Sequence, residues 1–336
     1  MIVRRRFAGL VALAALTLAG CEAKAPQAKG DTKAVTFSIL SAESQQSMEP
    51  LWSPLLKDME KQLGVPVKPF FASNYTALIE AMRFNQVQAG WFSALPALEA
   101  TRRANAQVLG RVIDMSGEDS YTSVLIVKKG SKIGLDDVLK CGKRYALGMG
   151  DAKSTSGTLA PMTYLFTPHE IVPADCFKAV RSASHQTNTF SVANGVVDVA
   201  TNNSVGLSFF ARQQPELAKR VEVIWRSPPL PESSIIARKD LDPAIREKMR
   251  QFFLTYGVGE GPEAERQRKV LDGLEYGGFR PADDSYLDPI REMEAGQALA
   301  DARRSGDAKK VAEAQKAFDE VRLQANRRRA VDPDAE

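Results

Sequence analysis

The sequence predicts an α/β protein with two domains, each an open sheet covered by helices. Three observations carry this. Short apolar runs alternate with amphipathic helical stretches, the pattern of a sheet packed between helices. The chain is 336 residues long, enough for two cores rather than one. The alternation also restarts after Lys129, as expected of a second sheet. No internal repeat or low-complexity core interrupts it.

The elements follow in order. VTFSIL (35–40) reads as a buried strand. Residues 48–63 form an amphipathic helix, because Leu51, Leu55, Met59 and Leu63 recur four apart and so share one face. VPVKPFF is the next strand, and 75–83 the next helix. QAGWFSA is a short strand running into a loop, followed by helix 96–104 and by strands at 107–113 and 121–128. In the second block, strand 144–148 leads to a helix opening at STSG, and strand 177–182 leads to helix 187–194. VVDVATNN is a strand and loop before a helix reaching Phe209, and VEVIWRS is a further strand. IIARKDL begins the return to helices, expected at 242–256, 262–272 and 285–300. Residues 300–329 are rich in Ala, Lys, Arg and Glu and predict a solvated, charged helix.

The first residues set the compartment. Arg4, Arg5 and Arg6 precede an apolar stretch, Phe7 to Leu18, of a length typical of a signal peptide and short for a membrane span. It ends in Leu18-Ala19-Gly20-Cys21, which resembles a bacterial lipobox, so Cys21 is the expected lipidation site. Residues 22–34, mostly Ala, Lys, Gln, Pro and Gly, predict a flexible tether. The protein is thus expected on the periplasmic side of the membrane, held by lipid. Loss of residues 1–20 removes three arginines and lowers the formal charge from +4 to +1. A near-neutral mature chain argues against a nucleic-acid partner. Cys141 and Cys176 remain, and an even count in an oxidising compartment predicts one disulfide.

Two motifs carry chemistry. In GDAKSTSGTLAP (150–161), three hydroxyls and a glycine precede an apolar helical run, 159–166. Free N–H groups at a helix start, with Ser154, Thr155 and Ser156 as further donors, suit an oxyanion; Gly157 would let a ligand approach the backbone. The same pattern also suits an ordinary N-cap. In SASHQTN (182–188), His185 lies between a strand and a helix, at the carboxyl edge where α/β sheets bind ligands. There an imidazole can donate to an oxyanion and titrate with it. His169, after a proline, reads as a surface residue.

With these motifs in place, the chain resembles the periplasmic phosphonate-binding proteins of ABC phosphonate importers. The matching segments are SAESQQSMEPLWSPLLKDMEKQLGV, MRFNQVQAGWFSAL, SYTSVLIV, GDAKSTSG, HQTN, VANGVVDVATNN and VIWRSPPLP. The resemblance implies a type II periplasmic binding protein fold: two α/β lobes, two crossovers and a ligand clamped between. It implies that Ser154, Thr155, Ser156 and His185 hold the phosphonate, and that Tyr75 and Tyr121 close over it. It also implies an ABC permease and ATPase as partners. The expected division is a signal peptide 1–20, a tether 21–34, a first lobe 35–125 plus 235–290, a second lobe 126–234 and a charged helical tail 291–336, with crossovers near 124–130 and 226–236.

The departures concern the ligand's tail. Family members that take aminoethylphosphonate carry acids at two positions held here by Val205 and Ser233. A buried ammonium without a counter-charge is costly, so the expected ligand is a phosphonate, phosphite or similar oxyanion with no cationic tail, unless Glu232 substitutes from the adjacent position. Competing readings are an enzyme on the same fold, or the same fold repurposed as a receptor for an apolar or lipid ligand or as a ligand sensor for a membrane kinase. No GxSxG, HExxH, Walker A or metal-ligand spacing is present, so no catalytic residue, metal or cofactor is expected.

Overall fold

The computed structural model describes residues 34–331; the signal peptide, Cys21 and all but the last residue of the tether lie outside them. The first six-stranded sheet begins with the predicted alternation. Strand β1 (Val35–Ile39) leads to α1 (Gln45–Leu63), β2 (Val67–Phe71) to α2 (Tyr75–Arg83), and β3 (Ala89–Phe92) to α3 (Ala94–Arg103). Strand β4 (Ala106–Asp114) follows. The chain then passes through a two-residue strand, β5 (Ser120–Tyr121), into the second sheet at β6 (Ser123–Lys128).

That sheet is completed by β7 (Ala146–Met149), β8 (Ala179–Ser182), β9 (Val199–Asn203) and β10 (Val221–Arg226), in the order β10-β6-β9-β7-β8. Its helices include α4 (Leu135–Leu139), α5 (Pro173–Cys176), α6 (His185–Ala193), α7 (Ser204–Gln213) and α8 (Pro215–Ala218). The chain returns through β11 (Leu230–Pro231), which pairs with β5. Strands β12 (Ser234–Arg238) and β13 (Tyr276–Pro281) then complete the first sheet, in the order β13-β4-β12-β3-β1-β2.

Three expectations are corrected. Ser123–Leu125 pair within the second sheet, so that sheet starts before the expected boundary at 125/126; the crossings lie at 115–122 and 227–233. The stretch around IIARKDL is not a return to helices: Ser234–Arg238 is a fully buried strand, antiparallel to both β3 and β4. Buried on both faces, it has no polar alternation to mark it. Strand β13 is read by neither period, because YGGFRP carries two glycines and a proline that weaken β-propensity.

The third correction is at the C-terminus. After α9 (Pro243–Thr255) and α10 (Pro262–Gly273), helix α11 (Asp288–Ser305) ends at Gly306, whose φ of 70° is left-handed. Helix α12 (Ala308–Val331) folds back on α11. Arg328 reaches Asp288 at 2.6 Å, Arg329 reaches Glu292 at 2.7 Å, and Ala325 is buried. The tail is therefore one arm of a helical hairpin, with a glycine stop where the composition reads as a continuous helix.

The first sheet's core centres on Phe37, Trp52, Phe92 and Phe253, all under 2% exposed. Burial of each contributes roughly 1.5–3 kcal/mol. The Cys141–Cys176 sulfurs are bonded at 2.03 Å and join the segments preceding the parallel pair β7 and β8.

Candidate ligand-binding site

The carboxyl ends of β1, β2, β3, β7, β8 and β9 feed one cleft, part of it open to solvent, the place where α/β sheets bind ligands. Each strand end delivers a polar residue: Glu43 after β1, Tyr75 after β2, Ser93 after β3, Ser154 and Ser156 after β7, His185 after β8, and Asn203 with Val205 at the end of β9. The crossings add Tyr121, Glu232 and Ser233.

The head of the cleft is the serine turn. Thr155–Leu159 is a π-helical turn whose N-cap is Ser154, a wide geometry often found at functional sites. Ser154 Oγ accepts from Gly157 N at 2.9 Å and lies 3.5 Å from His185 Nε2. The cap and the oxyanion reading are thus compatible: the lone pairs serve the helix, and the hydroxyl proton can serve a ligand. Ser156 is 2% exposed, lines the cleft, and is fixed through its carbonyl by Ser123 Oγ at 2.6 Å. The Tyr75 phenol comes within hydrogen-bonding reach of Ser154, and that of Tyr121 reaches Ser156 and Thr155.

Three sequence-derived roles change. Thr155 Oγ1 accepts from Leu95 N at 2.9 Å, satisfying an N-terminal donor of α3, whose own N-cap Ser93 makes no capping bond, so it also supports that helix. Gly157 makes room for protein rather than ligand: a Cβ there would sit 2.7 Å from Gly150 Cα and 3.2 Å from His185 Cε1. His185 does not titrate near neutrality. It is 4% exposed, and burial lowers its pKa to about 4, so it enters the site as neutral imidazole with one N–H to donate. The exposed His169 bonds Leu165 O at 2.7 Å.

The remaining lining includes Val205, Phe209, Leu274, Trp91 and Tyr276 together with Glu232 and Ser233, the candidate tail end. Glu232 and Ser233 are each 5% exposed, and both face the cleft although adjacent in a loop. Glu232 Oε1 accepts from Ser233 N at 2.8 Å and Ser233 Oγ at 3.0 Å, which turns the side chain inward. Burial raises the Glu232 pKa, partly offset by those two bonds. Glu232 thus lines the cleft beside the position of the missing acid, as the alternative left open by the sequence requires.

Five buried polar atoms around the cleft have no partner among the described residues: Glu43 Oε2, Trp91 Nε1, Ser93 Oγ, His185 Nδ1 and Glu232 Oε2. Buried polar atoms without partners are rare in native proteins, and a cluster around one cleft marks the place of a polar ligand. Glu43, Trp91, Ser93 and Tyr276 escaped the sequence reading. Glu43 and Ser93 follow strands that were identified and Trp91 lies near the end of one, so the strand-end rule contained the signal; Tyr276 belongs to a strand that was not.

Comparison with known proteins places this cleft in context. The profile of the family described as "ABC transporter, phosphonate, periplasmic substrate-binding protein" matches residues 37–287. The chain is 43% identical over 267 residues to the phosphonates-binding periplasmic protein of Escherichia coli (strain K12), covering 79% of this chain and 77% of that protein. A crystal structure of a binding-protein component of an ABC phosphonate transporter from Pseudomonas aeruginosa superposes with a TM-score of 0.83 at 37% identity, covering 88% of this chain and 98% of that one. The fold is also that of a Prochlorococcus marinus (MIT 9301) protein solved with methylphosphonate, with a TM-score of 0.69, 21% identity, and coverage of 78% and 97%. The chain belongs to the family of periplasmic substrate-binding proteins of ABC phosphonate transporters.

Proposed function

We propose that this protein captures a small phosphonate or phosphite-like oxyanion and delivers it, unchanged, to an ABC permease and its ATPase, while tethered to the membrane by lipid on Cys21. The observation that supports this best is the cleft itself, lined by the hydroxyls of Ser154 and Ser156, neutral His185 and the phenols of Tyr75 and Tyr121. That is a donor-rich setting for an oxyanion. Closure of the two sheet-bearing halves about the β5–β11 ribbon brings Tyr75 and the serine turn onto the same ligand.

The tail end is set by Glu232. An ammonium supplies the partner that its Oε2 lacks within the protein, so the absence of acids at 205 and 233 does not exclude an amine. Aminoethylphosphonate is expected to bind at least as tightly as methylphosphonate.

A thermal-shift panel of phosphite, methylphosphonate, aminoethylphosphonate, phosphate and sulfate tests the reading. A true ligand at 100 times its Kd stabilises by about 2.7 kcal/mol and is recovered chemically intact. No shift with any phosphorus oxyanion would overturn it. Cys21→Ser should release the protein from the membrane fraction; retention would overturn the anchor.

A further inference from the structure

Glu43 stands in the loop between β1 and α1 and is 8% exposed, with Oε2 unpartnered. It lines the cleft together with Tyr75, Ser154, Ser156 and His185, and two observations associate it with Tyr75 and His185. Its carboxyl acts electrostatically on Tyr75, the phenol that reaches Ser154. Its chain neighbour Ser44 donates its N–H to Gln186 Oε1 at 3.3 Å, and Gln186 adjoins His185. An acid thus sits where an oxyanion is to bind.

The surroundings make its charge state decisive. Among the described residues, no lysine or arginine lines the cleft. The titratable groups facing it are Tyr75 from α2, Tyr121 from the first crossing, His185 from α6, Glu232 from the second crossing and Tyr276 from β13. Asp151, beside Tyr75 and His185, accepts from Tyr75 N at 3.1 Å. None supplies a fixed positive charge: His185 is neutral down to about pH 4. An ionised Glu43 would confront an anion in a low-dielectric site with nothing to offset the repulsion. A carboxylic acid kept neutral by burial can instead donate a short, strong hydrogen bond to the anion.

We propose that Glu43 enters the complex as a neutral carboxylic acid and donates to the bound oxyanion, so that one proton is shared between the protein and the ligand's head group. This rests on the reading of the cleft as an oxyanion site. It adds a recognition element: the site selects head groups that can share a proton, and it binds the anion without a cationic side chain. Burial pushes the Glu43 pKa up to about 8, consistent with a neutral acid at physiological pH. The sign follows directly. The neutral form binds, so affinity falls as pH rises through the free-protein pKa.

The test is calorimetry of the full chain with methylphosphonate from pH 6.5 to 9.5, for the wild type, Glu43→Gln and Glu232→Gln. Glutamine keeps a donor but cannot ionise, and the ligand's own ionisation affects every protein alike. Relative to Glu43→Gln, wild-type affinity should fall at least about tenfold across this range, and Glu232→Gln should still show the fall. At pH 9.5 the wild type should take up close to one proton per ligand, read from two buffers of different ionisation heat, and Glu43→Gln should take up fewer. The wild-type uptake stands on its own if the variant fails to fold. A constant wild-type to Glu43→Gln ratio, or no wild-type proton uptake, would overturn the role of Glu43. No binding of methylphosphonate, phosphite, phosphate or aminoethylphosphonate by the wild type at pH 6.5 would overturn the parent reading and this one with it; if only one of the others binds, the same pH series is read with that ligand.

Discussion

The two ends of the cleft are built differently. At the head, the groups are also held by the protein: Ser154 caps its own helix and faces His185, Ser156 is anchored by Ser123, and Gly157 is wedged against Gly150. At the tail, Val205, Phe209 and Leu274 form an apolar wall, and Glu232 alone is locked by its neighbour. The head is structure and site at once; the tail is a lining. Substitutions at the head should therefore change stability and binding together, whereas those at the tail should change ligand choice and little else.

His185 should give the largest effect. Its pKa falls from 6.5 to about 4 on burial, so the unfolded chain binds the extra proton first. Stability is then lost as pH drops from about 6.5 to about 4, by about 3 kcal/mol in all. His185→Gln should remove this acid loss, measured as the variant-minus-wild-type unfolding free energy at several pH values. A difference that does not change with pH would mean that the ring is not buried neutral. Glu43 has the opposite sign and is common to both proteins, so it cancels in the difference.

Gly157→Ala comes next. The added Cβ meets backbone at 2.7 Å, which no rotamer relieves, so the strand or turn must move. A loss of roughly 1–3 kcal/mol in stability is expected, with weaker methylphosphonate binding in the same variant. Loss of binding at unchanged stability would show that the glycine serves the ligand after all.

Ser154→Ala and Thr155→Ala then separate contact from support. Ser154 should cost roughly 1–3 kcal/mol in affinity, as a donor to an anion, and lower the melting temperature by removing the cap. Thr155 should cost about 1 kcal/mol, the value of one neutral bond, because its Oγ1 accepts from Leu95 N. Equal losses would place Thr155 on the ligand.

The smallest effect is at the tail. Glu232→Gln should lower the affinity for aminoethylphosphonate relative to methylphosphonate by about tenfold, or 1.4 kcal/mol, with little change in stability. An unchanged ratio of the two affinities would mean that the tail does not read charge.

Several features were legible in the sequence because they are local. Helix 75–83 was located to the residue, as its cap, amphipathic run and basic end lie within ten positions. The serine turn and His185 were found because each follows a recognisable strand. The strands Ser234–Arg238 and Tyr276–Pro281 were not found, because their only support is pairing with residues more than a hundred positions away.

The sequence by itself determined the alternation of strands and helices, the hydroxyl-rich turn and the resemblance that names a family, all of which are written in short windows. Tertiary structure alone decided that Thr155 faces a helix end, that Gly157 faces a glycine, and that Glu232 and Ser233 both point inward. It also decided that Glu43 lines the cleft. The physical reason is that a side chain's role depends on what meets it across the cleft. Those partners come from other strand ends, which only the folded sheets bring within hydrogen-bonding distance.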